Sequence, residues 1–192
     1  MTELNDSLLI EKTLSGDDYA FSLLVKVWRE KLYRFAYRYM HNADDAHDVV
    51  QQTFIKVHRN LESLDNPERF SPWIYKITLN LCRDELRRKT RSSQIFVSED
   101  STDIHAPEFV SQTTHSQNHA FERQEIIDRA LRYLSDEQKT VLLMKEFQGL
   151  KFREIAEVLD ISENTAKSRL YYALKAMHKT FEKMNINREE LL

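Results

Sequence analysis

The chain has 192 residues, enough for one ordinary domain or two small ones, and 41% of them are hydrophobic, which excludes a wholly disordered chain. Two glycines and three prolines leave few of the turn residues that β-hairpins and glycine-rich phosphate loops require, so the composition favours helices. The formal net charge of -3 does not by itself indicate a nucleic-acid partner.

Cysteine content and hydropathy bear on where the protein works. The single cysteine, Cys82, excludes an internal disulfide framework and a cysteine-based zinc site within one chain. The N-terminal sequence MTELNDSLLIEK lacks a positive region followed by a long apolar run, and no stretch approaches the ~18 apolar residues of a membrane span. We therefore expect a cytoplasmic protein in a reducing compartment, without membrane insertion.

The first part of the chain shows the spacing of amphipathic helices. Large apolar residues recur every three or four positions over residues 18–40, which predicts a helix there. Asn42 is the predicted N-cap of the next helix, with Asp44 and Asp45 in its first turn, where the helix dipole favours negative charge. Pro67 and the pair Ser71-Pro72 each fit a cap followed by proline at the first helical position, so we expect a short loop between two further helices.

Positive charges and an amide form one face of the helix predicted after Pro72. They recur at i, i+4, i+7 and i+11, and are Lys76, Asn80, Arg83 and Arg87. Trp73 and Tyr75 lie beside this face. A charged face is usually the solvated side of a helix, but basic groups beside aromatic rings suit single-stranded or partly melted nucleic acid, whose unstacked bases stack on the rings.

Charge is segregated further along the chain. Residues 81–91 and residues 162–183 each carry a net charge of +3, whereas residues 92–122 contain five acids and no lysine or arginine. Residues 92–117 also lose helical periodicity and are rich in Ser, Thr and Gln. We predict a linker and a domain boundary there.

The C-terminal segment predicts a helix-turn-helix. Helical periodicity resumes after the linker, and the sequence SDEQ fits a capping box. A helix containing Ile155, Ala156 and Leu159 is then followed by a turn at 160–162 and a second helix. One side of the second helix is predicted to be buried and the other to reach base edges and phosphates in a major groove. The buried side is predicted to contain Ala166, Leu170, Ala173, Leu174 and Met177.

Candidate catalytic and metal-binding residues are few. Asp44, His47 and Asp48 could share a helical face and form a metal site, but acids at a helix start beside an exposed histidine explain the same pattern, and no HExxH motif supports a metal. Cys82 lies among leucines, as a small buried residue does. No serine has a GxSxG context, and two isolated glycines cannot form a phosphate loop. We expect no enzyme activity, cofactor, metal or small-molecule substrate.

Three motifs, in this order along the chain, carry a resemblance to a known family. They are DDAHDVVQQTFIKVHRNL, FSPWIYKITLNLCRDELRRK and, after the acidic linker, LSDEQKTVLLMKEFQGLKFREIAEVLDISENTAKSRL. Together they resemble the extracytoplasmic-function (ECF) sigma factors of bacterial RNA polymerase, in the sigma-70 family, over nearly the whole chain. The resemblance implies an all-α protein with two small helical domains joined by a flexible linker, the second containing the helix-turn-helix.

The resemblance also implies a role for each segment. Residues 1–91 would be sigma region 2, which binds core RNA polymerase and recognises and melts the minus-ten element. Residues 92–117 would be the acidic linker, and residues 118–192 would be sigma region 4, which recognises the minus-thirty-five element. The implied partners are core RNA polymerase, promoter DNA and an anti-sigma factor, in an alternative sigma factor that responds to stress or an envelope signal and associates with the nucleoid when active.

Site residues follow from the matching positions. Core polymerase would be bound by Asp48, Gln51, Gln52 and Phe54, with Gln52 standing where the family usually has glutamate. The minus-ten element would be contacted by Ser63, Asp65, Asn66, Trp73, Tyr75, Lys76, Asn80, Arg83 and Arg87. The minus-thirty-five element would be contacted by Asn164, Lys167, Ser168, Arg169, Tyr171, Tyr172 and Lys175, with Tyr172 in place of a frequent arginine and Asn164 in place of a common glycine.

Two rival functions remain open at this stage. An ordinary helix-turn-helix regulator, with a first domain that senses a ligand or dimerises, predicts operator binding without polymerase. A metal-dependent enzyme using Asp44, His47 and Asp48 predicts a bound metal and an activity that His47→Ala abolishes. A sigma factor predicts promoter-dependent transcription when core polymerase is present.

Overall fold

The structure, a computed structural model, describes residues 5–96 and 119–186, with side chains described over 5–91 and 124–186. These ranges contain helices and no strand, which confirms the predicted all-α class. The α-helices are α1 (Asp6–Leu14), α2 (Asp18–Met40), α3 (Ala43–Asn60), α4 (Phe70–Phe96), α5 (His119–Leu131), α6 (Asp136–Leu142), α7 (Phe152–Leu159) and α8 (Glu163–Lys183).

Side-chain caps fix where several helices begin. The Asn42 side chain accepts a hydrogen bond from the Asp45 amide at 2.9 Å, so the predicted start of α3 is confirmed. Ser135 and Gln138 form the predicted capping box of α6, each side chain accepting from the other residue's backbone N–H. Helix α1 was not predicted. It buries only Leu9 and Ile10, too few positions for a periodic pattern to be visible.

The start of α4 corrects one prediction. The helix begins at Phe70, before Ser71, so Ser71 is not its cap. The cap lies earlier in the chain, at Asn66. Its side chain accepts a hydrogen bond from the Glu68 amide at 2.9 Å and caps a 3-10 turn over Pro67–Arg69, which leads into α4. Pro72 falls in the first turn of α4, where its missing N–H costs no helical hydrogen bond.

The end of α4 also differs from the predicted boundary. We placed the linker at residues 92–117, but α4 continues to Phe96. The remainder of the predicted linker, residues 97–117, lies outside the described residues. The basic segment that ends at Arg91 therefore belongs to a continuous helix.

An aromatic cluster holds the first domain together. Trp28 of α2 meets Phe70 and Tyr75 of α4 edge-on, with ring centroids 5.4 and 5.7 Å apart, and Phe35 lies 5.3 Å from Tyr75. All four rings are buried. Such ring pairs add to the free energy already gained by burying large apolar areas, and they set the angle at which α4 crosses α2.

The second domain contains the predicted helix-turn-helix. Helices α7 and α8 are joined through Asp160, whose φ of 53° lies in the left-handed region, and the Ile161 amide donates to the Ala156 carbonyl at 3.0 Å. The buried side of α8 is as predicted except for Leu174, which is 48% exposed. The prediction for Leu174 was wrong because Leu170, Ala173 and Met177 fill the small core. Leu174 points about 100° away from Ala173 around the helix axis, toward solvent.

The two domains contact each other through α2 and α4. The Tyr75 hydroxyl donates to Gln148 at 2.5 Å, and Arg69 pairs with Glu157 at 3.2 Å. Arg38 donates to Gln124 at 2.7 Å and lies with its guanidinium 4.2 Å from the centroid of the Phe147 ring. The domains are thus packed together in this structure.

His41 links α2 to α3 beside this contact. Its φ is 55°, in the left-handed region, and its amide donates to the Tyr37 carbonyl at 2.7 Å. Burial, together with the positive charges of Lys139 and Arg132, lowers the pKa of His41 to about 4. The imidazole is therefore neutral at neutral pH.

We predict that acid destabilises the protein through His41. Its pKa is about 4 in the folded state and about 6.5 in an unfolded chain. Between these values the unfolded state binds more protons, so the free energy of unfolding falls as the pH is lowered. His41→Asn removes the titrating group and keeps a residue type that tolerates the left-handed region. The free energy of unfolding, measured with urea at neutral pH and at a pH near the folded-state pKa, should fall less in the variant than in the parent protein. Equal losses would contradict the prediction.

Candidate polymerase and nucleic-acid interfaces

Helix α3 presents a polar row on a rigid base. Asp48, Gln51 and Gln52 are exposed, while Val49 and Val50 between them are buried. Because the helix is held in the core along its other side, these polar groups keep a fixed spacing. Phe54, assigned to the same interface, is only 8% exposed and belongs mainly to the core.

A groove of about 850 Å³ lies between α2 and α3. Val50, Gln51 and Phe54 line it from α3, and Val25 and Arg29 line it from α2. The sequence did not predict this groove, because it depends on how two helices cross and no residue spacing specifies a crossing. It extends the predicted α3 interface to part of α2.

The acidic stretch at the start of α3 is explained by local contacts. Asp45 pairs with Lys89 of α4 at 2.5 Å, and His47 stacks on Tyr33 with ring centroids 4.5 Å apart. In the described parts of the chain no three His, Cys, Asp or Glu side chains are grouped so as to hold a metal ion. Cys82 is fully buried, and burial raises the pKa of its thiol, which disfavours the thiolate.

The predicted minus-ten loop is exposed and internally bonded. The Ser63 hydroxyl donates to the Asn60 carbonyl at 2.7 Å, and Asn66 caps the turn that follows. Asp65 is exposed. Ser63 and Asn66, two of the three loop residues assigned to the minus-ten element, therefore also hold the loop in its conformation.

Helix α4 brings some of its assigned residues to the surface and hides others. Lys76, Asn80 and Arg87 are exposed on one face, as predicted from their spacing. Arg83 lies on the same face, but its Nη2 forms a salt bridge with Asp136 Oδ2 of the second domain at 3.0 Å.

Tyr75 is placed differently from the prediction. It is 2% exposed and packs in the aromatic cluster, so it is not available to stack on a base in this structure. Its spacing from Leu79 and Cys82, four and seven residues on, was the sequence signal for a buried position. Trp73 is half-buried, with its ring centroid 5.9 Å from that of Phe70.

Helix α8 exposes most of the residues assigned to duplex recognition. The exposed set is Asn164, Lys167, Ser168, Tyr171, Tyr172 and Lys175. Tyr171 and Tyr172 lie edge to face with centroids 5.4 Å apart. Arg169 differs, because its guanidinium pairs with Glu137 of α6 at 2.9 Å and its side chain is only 25% exposed.

Two family models match the chain. Residues 24–92 match the model of sigma-70 region 2, and residues 124–177 match the model of sigma-70 region 4. The ECF RNA polymerase sigma-E factor of Escherichia coli is 30% identical over 182 residues, covering 91% of this chain and 93% of that protein. The chain belongs to the ECF sigma factors. Members of this family are transcription initiation factors of the sigma-70 class.

Other ECF and related sigma factors match over similar lengths. The RNA polymerase sigma-H factor of Pseudomonas aeruginosa is 29% identical over 186 residues, covering 95% of this chain and 96% of that one. SigW of Bacillus subtilis is 29% identical over 181 residues, covering 88% of this chain and 93% of its own. The family predicted from the three motifs is thus confirmed.

Solved structures share the fold. CnrH, solved in complex with the cytosolic domain of CnrY, aligns with a TM-score of 0.68 and 22% identity over 93% of this chain and 98% of that one. RpoE of Bartonella quintana, solved with the anti-sigma factor NepR, aligns with a TM-score of 0.66 and 22% identity over 88% and 98%. Within the described residues of our chain, no helix is long and apolar enough to cross a membrane.

Proposed function

We propose that this ECF sigma factor binds core RNA polymerase, directs it to specific promoters and starts DNA-templated transcription in response to stress or an envelope signal. The observation that carries the proposal is the pairing of a region 2 module with a region 4 module in one chain, each with exposed polar residues on its surface. RNA synthesis itself belongs to the polymerase. The chain acts by binding, without catalysis of its own, in the cytoplasm and at the nucleoid.

Docking to polymerase is assigned to α3. Asp48, Gln51 and Gln52 offer one negative charge and two amides on a helix that the core holds in place. Such groups make directional hydrogen bonds that fix the register of a partner helix. Gln52 is neutral, so its amide brings no charge of its own to the contact.

Opening of the minus-ten element is assigned to the first domain. Lys76, Asn80 and Arg87 form an exposed polar and basic row on α4, the helix that follows the loop containing Asp65. A basic row attracts the phosphates of a separated strand, and captured bases offset the few kcal/mol that unstacking each of them costs. Opening of the minus-ten element then requires no energy source other than the binding of the separated strand.

Recognition of the minus-thirty-five element is assigned to α8. As the second helix of a helix-turn-helix it fits a major groove, with Asn164, Lys167 and Ser168 near its N-terminal end and Tyr171 one turn later. Amides and hydroxyls can bond to base edges, and Lys167 can reach phosphate or guanine. Duplex reading and strand capture therefore lie on different domains.

The partners follow from this arrangement. Two weak DNA sites gain strength when polymerase holds them at the correct spacing, so the free chain is expected to bind promoters poorly. An anti-sigma factor is proposed as a further partner, since the solved structure of RpoE from Bartonella quintana contains one. No small-molecule substrate is needed.

Run-off transcription with purified core polymerase tests the proposed function. Core polymerase should yield a transcript of defined start from a cognate promoter when the chain is added, and none without it. A promoter with a scrambled minus-ten element serves as the control template. Operator footprinting by the chain alone, with no promoter-dependent transcript, would favour an ordinary helix-turn-helix regulator.

Gln51→Ala tests the docking surface. Removing one interfacial amide should weaken association with core polymerase about fivefold, the effect of losing one hydrogen bond of roughly 1 kcal/mol. Promoter preference should not change, because Gln51 lies outside the proposed DNA surfaces. Fluorescence anisotropy with labelled sigma measures the affinity, and competition between two promoters measures the preference. A change in preference at unchanged core affinity would refute the assignment.

Lys167→Ala tests the recognition helix. Loss of one phosphate or base contact should weaken minus-thirty-five recognition about three- to tenfold and lower the salt dependence of promoter binding by about one unit. Binding to core polymerase should be unchanged. Binding of the holoenzyme to promoter duplex, measured at several salt concentrations, gives both the affinity and its salt dependence. If neither changes in the variant, Lys167 does not contact the DNA.

A further inference from the structure

Two neighbouring acids at the start of α6 pair with arginines that the family resemblance assigns to DNA contacts. An oxygen of Asp136 accepts from Arg83 Nη2 at 3.0 Å and from Arg83 Nε at 3.3 Å. Glu137 pairs with Arg169 Nη2 at 2.9 Å. Arg83 is on the first domain and Arg169 on the second, so the two pairs differ: one crosses between the domains and the other lies within a domain.

Both oxygens of Asp136 are occupied by the first domain. One accepts from Arg83 as described, and the other accepts from the Tyr39 hydroxyl. Nearby, the Lys139 ammonium donates to the Tyr39 carbonyl at 3.4 Å. We call the set formed by Asp136, Arg83 and Tyr39 the Asp136 contact.

Further contacts keep the same face of the first domain against the second. Tyr75, from the helix that carries Arg83, donates to Gln148, and Arg69, just before that helix, pairs with Glu157. Arg38 lies 3.6 Å from Asp128. The second domain therefore covers part of α4 on the side that contains Arg83.

Two N–H groups of the Arg83 guanidinium converge on one oxygen of Asp136, so an anion already occupies the edge of Arg83 that would donate to a DNA phosphate. That edge of Arg83, formed by Nε and Nη2, cannot hold Asp136 and a phosphate at the same time, and the carboxylate charge repels a phosphate from the remaining N–H groups. We propose that Asp136 is an internal competitor for DNA at Arg83, and that the free chain rests in a closed arrangement which must open before the first domain engages the minus-ten element. This inference rests on the proposed function, in which α4 contacts the minus-ten element, and on the family resemblance, which assigns Arg83 to that contact.

The strength of the Asp136 contact suits a reversible restraint. The Arg83 and Asp136 side chains are 30% and 52% exposed, so water screens the pair and its contribution is modest. Loss of the pair should lower the ratio of closed to open molecules about three- to tenfold, which leaves the opened state accessible to polymerase and DNA.

Distance measurement in the full-length chain tests closure directly. Spin labels on Lys26→Cys and Lys179→Cys, both exposed in the structure, report the separation of the domains by pulsed electron paramagnetic resonance, and the native Cys82 is buried and so protected from labelling. We expect a short, narrow distance distribution in the parent protein. Asp136→Asn should add a long component as the closed-to-open ratio falls. A broad distribution in the parent, or an unchanged one in Asp136→Asn, would overturn the proposal.

Three further variants separate the contact from general effects. Glu125→Gln removes the same charge from the second domain, where Glu125 pairs with Arg129 of its own helix, and should leave the distances unchanged. Glu137→Gln alters the same end of α6 but breaks a pair within one domain, and should also leave them unchanged. The charge swap Arg83→Asp with Asp136→Arg should restore the short distance. Failure of the swap together with opening in Glu137→Gln would mean that α6 had merely been destabilised, and would overturn the proposal.

A DNA-binding measurement tests the competition. The free chain is titrated against a fluorescein-labelled promoter duplex, opened over the minus-ten element by mismatches. Asp136→Asn should bind three- to tenfold tighter than the parent, whereas Glu125→Gln should change binding less than twofold. Opening without tighter binding would overturn the competitor role. The run-off assay stands apart from both readouts, so a chain that closes through Asp136 but yields no transcript would refute the proposed function and not the closure.

Discussion

The aromatic packing of Trp28, Phe35 and Phe70 around Tyr75 is the constraint on which the first domain depends. It fixes the rotation of α4 about its own axis, and that rotation decides which of its side chains face outward. The exposed basic row and the buried tyrosine are two outcomes of one rotation, since they lie on different sides of the same helix. The α3 row depends on the same core through Val49 and Val50.

Much of this arrangement was predictable from the sequence because it is local. The Asn42 and Ser135 caps, the exposed Lys76 and Asn80, and the turn at Asp160 each follow from a few neighbouring residues. Motif order predicted the family, because three helical patterns in a fixed sequence are far more specific than any one of them.

Other parts needed the three-dimensional structure. Tyr75 was assigned to DNA from the family resemblance and its place beside a basic row; its spacing from Leu79 and Cys82 indicated the opposite, and only the packing against α2 decides between the two. Leu174 was assigned to the core because it is apolar, but the second domain has too little interior to take it. The groove beside Gln51 and the pairing of Arg83 with Asp136 join residues distant in sequence, 53 positions apart in the second case, and no periodic pattern records such contacts.

The long helix α4 has a consequence for how far the domains can move. Its 27 residues extend about 40 Å, and residues 97–118 then connect it to α5. A connection of that length can span at most roughly 75 Å when fully extended. A tether of limited reach holds the two domains at an effective concentration of order millimolar. Contacts too weak to join separate molecules are therefore sufficient to close one chain on itself, and a partner of ordinary affinity is sufficient to open it.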